Sequence, residues 1–306
     1  MFQFLKKAKN LWRRLATLKS RLREAKRAYV ETQALLRARL ARPYYPLNDG
    51  WALTYLDTGQ PFYVNTEDRT VTPWIVMGGH WETNVDDVLT AYAAPGMAFA
   101  DIGAHMGYYS VKIGARLGST GRVIAFEPNP AMEPFARRNV GINGLANAVV
   151  HPFGLGDVAT RFMLTFSEGD MAQANLVAHG KADHAFEVIV HRLDDIFDGT
   201  LDLIKLDAEG FEPRVLSGAQ ATLARSPNCA LMIEVNLSRW ESEQPLARLF
   251  DLVGRDKAVL AVKATGGLIR MSEEEVRDHL AVQMFTEGYL FFCPQNAVHR
   301  VAHLIH

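Results

Sequence analysis

Apolar and polar positions follow three regimes along the chain. From residue 4 to residue 36 the apolar positions recur in steps of four and three, at Phe4, Ala8, Leu11, Leu15, Leu18, Leu22, Ala25, Tyr29, Thr32 and Leu36, with Thr32 the one soft position. That spacing predicts a helix carrying the narrow seam of a coiled coil and not the broader face of a core helix. Arg42-Pro-Tyr-Tyr-Pro46 ends it, because a proline disfavours helix at the residue before it. The second regime opens with two short strand-like runs, Trp51 to Asp57 and Pro61 to Asn65, which predict a hairpin joined by Thr58-Gly-Gln. Helical spacing from Val71 to Tyr92 follows, interrupted at Gly78-Gly79.

The third regime, from residue 97 onward, alternates apolar runs with helical segments. Met97 to Asp101, Arg122 to Glu127 and Ala148 to Pro152 read as strands, with helices over Met106 to Leu117 and Ala131 to Ile142 between them. Alternation at this spacing implies parallel strands joined by crossover helices. Residues 160 to 190 break the rhythm: Arg161 to Phe166 and Glu187 to Val190 are strand-like, while the polar stretch Ser167 to Ala185 is expected to be a long loop that helps hold a substrate. A fourth strand over Leu201 to Asp207 and a fifth over Ala230 to Val235 resume the pattern. A helix around Gln244 to Leu252 and a last pair of strands, Ala258 to Val262 and Tyr289 to Cys293, finish the sheet.

The 306 residues divide into an arm, residues 1–42, a hairpin and helical lid region, 43–96, and a body, 97–306. The arm holds thirteen Lys and Arg against Glu24 and Glu31, leaving the rest of the chain with twenty basic and thirty-two acidic residues. Three readings of it stand open: a coiled coil that makes a homo-oligomer, a basic helix lying on anionic lipid, and a solvated extension. The heptad favours the first. No apolar run reaches the length of a membrane span, and the start of the chain lacks the pattern of a secretory signal, so a cytoplasmic protein is expected, possible contact with the inner face of the membrane included. Cys229 and Cys293 lie in apolar strand-like runs and read as reduced core residues.

The chemistry concentrates in two stretches. Phe99-Ala-Asp-Ile-Gly-Ala-His-Met-Gly-Tyr-Tyr-Ser110 is a strand, a glycine-bearing loop and a helix, with Asp101 at the strand end and Gly103 and Gly107 letting the backbone turn. A dinucleotide loop would read G-x-G-x-x-G and seat a pyrophosphate on the helix N-terminus. Here an acid precedes the glycines in D-x-G-x-x-x-G, and a carboxylate suits the cationic amino group and sulfonium of S-adenosylmethionine better than it suits an anion. Glu127 ends the next strand before two prolines, where it can accept both hydroxyls of a ribose. Gly154, in Phe153-Gly-Leu-Gly-Asp157, is placed to let backbone approach an adenine. The second stretch, Lys205-Leu-Asp207-Ala-Glu209-Gly-Phe-Glu212-Pro213, sets three acids within six residues at a strand end, where ligands bind in open parallel sheets. Glu82, in Gly78-Gly-His-Trp-Glu82, belongs to a candidate lid that reads equally as a simple helix break.

With Asp101-Ile-Gly-Ala-His-Met-Gly-Tyr-Tyr-Ser110, Phe126-Glu-Pro-Asn-Pro130 and Ile204-Lys-Leu-Asp-Ala-Glu-Gly-Phe-Glu212 in view, the chain resembles the FkbM family of methyltransferases over about residues 75 to 240. The resemblance implies a class I (Rossmann-like) α/β fold, a seven-stranded, mostly parallel sheet with its last strand antiparallel, and methyl transfer from S-adenosylmethionine, usually to an oxygen of a sugar or related natural product. It implies that Asp101, Gly103 and Gly107 contact the methionine part of the cofactor, that Glu127 contacts the ribose, and that Asp207 and Glu209 face the reacting centre. His105 departs from the family, which commonly has Asn there, and sets a titratable group near the sulfonium. The arm lies outside the resemblance.

A sugar hydroxyl must lose its proton as it attacks, so a base is needed within hydrogen-bond reach. Asp207 is the first candidate and Glu209 the second, with His80 and His105 behind them and Glu82 and Glu212 on the acceptor side. A divalent cation on Asp207, Glu209 and Glu212 is the lesser reading of those acids. Two rivals remain: a coiled-coil adaptor whose body binds cofactor without turnover, and a nucleic-acid methyltransferase suggested by the basic arm. The acidic body, and the absence of the Asn/Asp-Pro-Pro-Tyr/Phe element expected for methylation of base amino groups, argue against nucleic acid.

Overall fold

The structure, a computed structural model, describes residues 42–167, 170–177, 184–282 and 287–306. The expected coiled coil therefore lies outside the described residues. The first elements form a three-stranded antiparallel ribbon, β1 (Tyr45–Pro46), β2 (Trp51–Tyr55) and β3 (Pro61–Asn65). Alternate residues Ala52, Thr54, Phe62 and Val64 turn inward, as a half-buried ribbon requires. Trp51 stacks on Phe135 at 3.6 Å between ring centroids, which fastens the ribbon to the body. Helix α1 (Thr72–Gly78) stops where Gly79 takes a left-handed conformation, and α2 (Thr83–Tyr92) starts four residues later. The Gly78-Gly79 interruption is thus a true break between two helices.

The body opens with β4 (Ala98–Ile102), α3 (Tyr108–Leu117), β5 (Arg122–Phe126), α4 (Glu133–Ile142) and β6 (Ala148–His151), close to the boundaries read from the sequence. A separate four-stranded sheet follows, of β7 (Gly154–Leu155), β8 (Thr160–Ser167), β9 (Asp170–Val177) and β10 (His184–His191), in the order β7-β10-β8-β9. This corrects the expected loop over Ser167 to Ala185, of which residues 170–177 are strand β9. Asp-Met-Ala-Gln-Ala-Asn-Leu-Val has one β-branched residue, Val177, and no aromatic, and its short alternation from Ala172 to Leu176 rests mostly on alanine, so it announces a strand only weakly. The long neighbour β8 imposes the extended form by pairing with it across a register shift at Thr165/Ser167.

The chain returns to the main sheet through α5 (Leu193–Ile196) and β11 (Leu203–Leu206). There follow α6 (Glu212–Ser217), α7 (Gln220–Arg225), β12 (Ala230–Asn236), α8 (Leu237–Glu243), α9 (Ala247–Val253), β13 (Lys257–Val262), β14 (Leu268–Met271), α10 (Glu273–Val282) and β15 (Glu287–Pro294). The main sheet runs β14-β13-β15-β12-β11-β4-β5-β6. Strands β12, β11, β4, β5 and β6 are mutually parallel, and β15 is inserted antiparallel between β12 and β13. That is the class I arrangement, with one correction: the sheet has eight strands, because β14 adds an antiparallel edge to β13. The extra strand is four residues long and follows Gly266-Gly267, both at positive φ, so its signal is a turn more than a strand.

Alternate residues along the central strands feed two cores, one on each face. On β12, Ala230 and Met232 join one cluster, while Leu231, Ile233 and Val235 join the other. Cys229 and Cys293 are buried and unbridged, as expected. No helix among the described residues is long and apolar enough to cross a membrane.

Candidate active site

The carboxyl ends of β4, β5, β11 and β12 open onto one cavity of about 290 Å³, which is where an open parallel sheet binds its ligands. Backbone geometry forces the loops together there. Gly103 has φ +80°, and a Cβ on it would lie 1.8 Å from the Asp207 carbonyl oxygen. Only glycine lets the loop after β4 pass the end of β11. Three of the four described non-glycine residues at positive φ, Glu82, His105 and Glu209, line this cavity. Left-handed backbone costs such residues about 1 kcal/mol or more, and strain gathered at one cavity marks a functional site.

Of the residues singled out in the sequence, Gly103, His105, Glu127, Asp207, Glu209 and Glu82 line the cavity. Asp101, Gly107, Gly154 and Glu212 do not. Asp101 is fully buried behind the loop, where its Oδ2 accepts the Ser110 hydroxyl at 2.5 Å. Its Oδ1 has no hydrogen-bond partner among the described residues. Gly107 has φ +80°, and its missing Cβ would sit 3.1 Å from Ala136 Cα, so it serves the packing of α3 on α4. Gly154 lies behind Pro128, which itself lines the cavity. The Glu212 carboxylate turns back to accept the Ala208 and Gly210 N–H groups, at 2.8 and 3.1 Å, and so shapes the turn after β11. Burial pushes its pKa up to about 7.

Glu127 is held at the end of β5 by two backbone donors, His105 N–H to Oε2 at 2.6 Å and Asn129 N–H to Oε1 at 2.7 Å. Each oxygen keeps a lone pair for a ligand hydroxyl. Burial outweighs these bonds and lifts its pKa to about 7. The His105 imidazole is pushed the other way by burial, against the pull of Asp68, which favours the neutral ring. Its Nε2 is buried with no partner among the described residues.

Four residues of the site escaped the sequence reading: Lys205, Glu234, Tyr109 and Tyr289 all line the cavity. Lys205 and Glu234 are single charges inside apolar runs, Leu-Ile-Lys-Leu and Met-Ile-Glu-Val, and that contrast was the available signal. The sheet register brings them together. Lys205 stands opposite Asp101 on β4, and Glu234 stands opposite Tyr289 on β15. Lys205 Nζ donates to Asp207 Oδ2 at 2.6 Å. Burial works to neutralise this ammonium, but the Asp207, Glu82 and Asp101 carboxylates outweigh it and hold its pKa above the ordinary lysine value.

The Tyr289 hydroxyl bridges Asp207 Oδ2 at 2.8 Å and Glu82 Oε1 at 2.9 Å. Its single hydrogen serves one of the two carboxyls at a time. Lys205 favours charge on Asp207. Burial raises the Glu82 pKa, with the Asp207 charge adding to it against Lys205. Tyr109 donates to Glu82 Oε2 at 3.1 Å and completes its surroundings. Glu234 brings a carboxyl oxygen within 4.8 Å of Asp207, and two carboxyls this close favour a proton on one of them. Burial and the neighbouring carboxylates push Glu234 well above the usual range. Burial also opposes charge on Asp207, but Lys205 overcomes it and holds that group below its usual range. Oxygens of Asp207, Glu209 and Glu234 lie within 4.8 Å of one another, so Glu234 takes the place in the acidic group that the sequence assigned to Glu212. Glu209 turns toward Arg239, which reaches its Oε2 at 3.3 Å.

Similar solved structures include methyltransferases of several kinds. An FkbM methyltransferase from Methylobacillus flagellatus KT is 19% identical over 64% of this chain and 43% of its own, with a TM-score of 0.42. A SAM dependent methyltransferase from Aquifex aeolicus is 15% identical over 68% of this chain and 87% of its own, at a TM-score of 0.37. A precorrin-6y C5,15-methyltransferase from Geobacter metallireducens GS-15 is 14% identical over 68% and 86%, also at 0.37. The chain thus spans less than half the length of the Methylobacillus protein. No curated protein matches it. The family assignment rests instead on the sequence of the body: the family model of the methyltransferase FkbM domain matches residues 101–283, more than half of the 306 residues, and the chain belongs to the FkbM methyltransferase family.

Proposed function

We propose that this methyltransferase takes its methyl group from S-adenosylmethionine and places it on a hydroxyl of a sugar, glycan, glycolipid or related natural product. The observation that carries the reading is the lining of the cavity: five carboxyl groups, those of Glu82, Glu127, Asp207, Glu209 and Glu234, surround a single ammonium, that of Lys205, and those that burial keeps protonated can ionise against a cation. Such a cavity fits a cationic ligand and repels a phosphate. When bound, the cofactor supplies an electrophilic methyl on a positively charged sulfur. Glu127 is placed to take the ribose hydroxyls, and the backbone from Gly103 to Met106 to take the methionine part. The apolar wall of Val71, Ile75, Trp81 and Leu164 excludes water from the reaction.

Methyl transfer from sulfur is an in-line displacement, so holding the acceptor oxygen in line supplies much of the rate. Asp207, ionised and fixed by Lys205 and Tyr289, is the base that receives the acceptor proton, with Glu209 second to it. The arm supports self-association through its heptad seam or contact with an anionic membrane face, in a cytoplasmic setting. Nucleic acid is disfavoured as acceptor by the acidic cavity.

Transfer of labelled methyl from S-adenosylmethionine into carbohydrate, lipid, protein, nucleic-acid and small-molecule fractions tests this directly. Label is expected in a carbohydrate or glycolipid fraction, and cofactor binding without label anywhere would favour a non-catalytic adaptor. Asp207→Asn should lower the transfer rate at saturating cofactor by about 10²- to 10⁴-fold in a chain that still folds and binds cofactor. Full activity in that variant would remove Asp207 as the base.

A further inference from the structure

We propose that Asp207 and Glu234 form a carboxyl dyad that shares one proton in the empty cavity and gives that proton up when a cationic methyl donor fills it, so that the dyad is fully ionised, and Asp207 free of the shared proton, only in the presence of the donor. The inference rests on the reading of the cavity as the methyl-donor site, and it assigns Glu234 a catalytic role that no motif gave it.

The geometry begins with the register. Parallel pairing of β11 with β12 sets Leu206 beside Ile233, and one step further along both strands brings Asp207 beside Glu234 at the sheet edge. Their oxygens lie within 4.8 Å of one another in a half-buried setting. Two carboxylates this close cannot both ionise, and one proton settles between them. Other groups fix where it resides. From β11, the Lys205 ammonium donates to Asp207, and from β15 the Tyr289 hydroxyl lies 2.8 Å from the same oxygen. Both favour charge on Asp207. Facing Glu234 are the carboxylates of Glu209 and Glu212 from the turn after β11, and both disfavour charge there. Arg239 from α8 engages Glu209 and draws off part of that repulsion. Glu234 therefore carries the shared proton.

A positive sulfonium in the same cavity reverses the balance, since it stabilises a second negative charge in low dielectric. The proton leaves Glu234 for solvent, and Glu234 becomes an unprotected base beside Asp207. In the transfer step the acceptor O–H bond breaks as the O–CH₃ bond forms. The C–S bond breaks with its electron pair kept by sulfur, and the hydroxyl proton goes to the dyad. The dyad is then protonated again and faces a neutral thioether. Charge and protons balance over the cycle: one proton goes to solvent for each methyl transferred. A hydroxyl arriving in a cavity without donor meets a protonated dyad and is not activated.

Calorimetric titration of the full chain with S-adenosylmethionine, repeated in buffers of different ionisation enthalpy, counts the protons released on binding. Roughly one proton should leave per donor bound near neutral pH, and near none for S-adenosylhomocysteine, which lacks the sulfonium charge. Donor affinity should fall toward tenfold per unit as pH drops through the range in which the dyad holds its proton, while product affinity stays flat. Glu234→Gln keeps a donor to Asp207 but no removable proton, and should abolish both the release and the pH slope. Equal proton release by the two ligands overturns the proposal even if the variant fails to fold, as does undiminished release in Glu234→Gln. Failure of both ligands to bind would overturn the donor-site reading beneath it.

Discussion

Glu82, His105 and Glu209 take left-handed backbone around one cavity, which gathers backbone strain at the candidate site. His105 adds a second cost, because its buried Nε2 has no partner among the described residues. Asparagine tolerates left-handed backbone better than histidine does and is smaller. His105→Asn is therefore expected to stabilise the protein by about 1 kcal/mol, measured as a shift in denaturant midpoint at constant slope. Its backbone N–H would still reach Glu127, so donor affinity should hold. A stability loss in that variant would mean that the imidazole packs better than its missing bond suggests. At this scale the sequence was informative wherever a residue type carries its own geometry. Gly103 and Gly107 were legible as turn residues because only glycine suits them. Glu127 and Asp207 were legible because acids at strand ends stand out. Glu234 and Tyr289 were not, since they join the site through pairing of β12 with β15, two strands with fifty residues of sequence between them.

Elements with their own period were legible to within a few residues, among them α3, β5, α4, β6 and the ribbon of β2 and β3. Those that depend on a neighbour were not: β9 is extended because β8 pairs with it, and β14 because β13 does. Helix α7 shows the same dependence. It has only six residues and no cap of its own at Ala219. Asp194, from α5, caps it across the fold: Oδ2 accepts Ala221 N–H at 2.9 Å, and Oδ1 accepts the Thr222 N–H and hydroxyl at 2.7 and 2.8 Å. Burial opposes the Asp194 charge, but these bonds outweigh it and hold its pKa below the ordinary value. A carboxyl with a depressed folded pKa stabilises the fold above its unfolded pKa of about 3.9, and that stabilisation is lost as pH falls through the folded value. Asp194→Ala should cost about 1–2 kcal/mol at pH 7. The gap from the unsubstituted chain should narrow as pH is lowered below about 4. A gap that is constant with pH would mean the loss is one of packing and not of a charged cap.

Over the whole molecule the charge is divided more sharply than any element shows. Residues 1–42 carry thirteen basic side chains and two acids, while the remainder has an excess of twelve acids. The described body, Tyr44–His306, closes its own core without them. The apolar seam of the arm, repeating in steps of four and three, can be buried only against another surface. A second copy of the arm would bury it seam to seam, yet it would also bring two strongly basic segments together. Salt screens that repulsion, so self-association through the arm should strengthen with ionic strength. Adsorption to anionic lipid should weaken under the same change, because its attraction is electrostatic. Sedimentation of the full chain and of a variant lacking residues 1–42, at low and high salt and with and without anionic vesicles, separates the two. Loss of the larger species on truncation, with a full-length oligomer favoured by salt, is the expected result. Vesicle binding that disappears on truncation and fades with salt would assign the arm to a membrane surface. The same oligomeric state and the same vesicle partition for both chains would leave the heptad without a role in either.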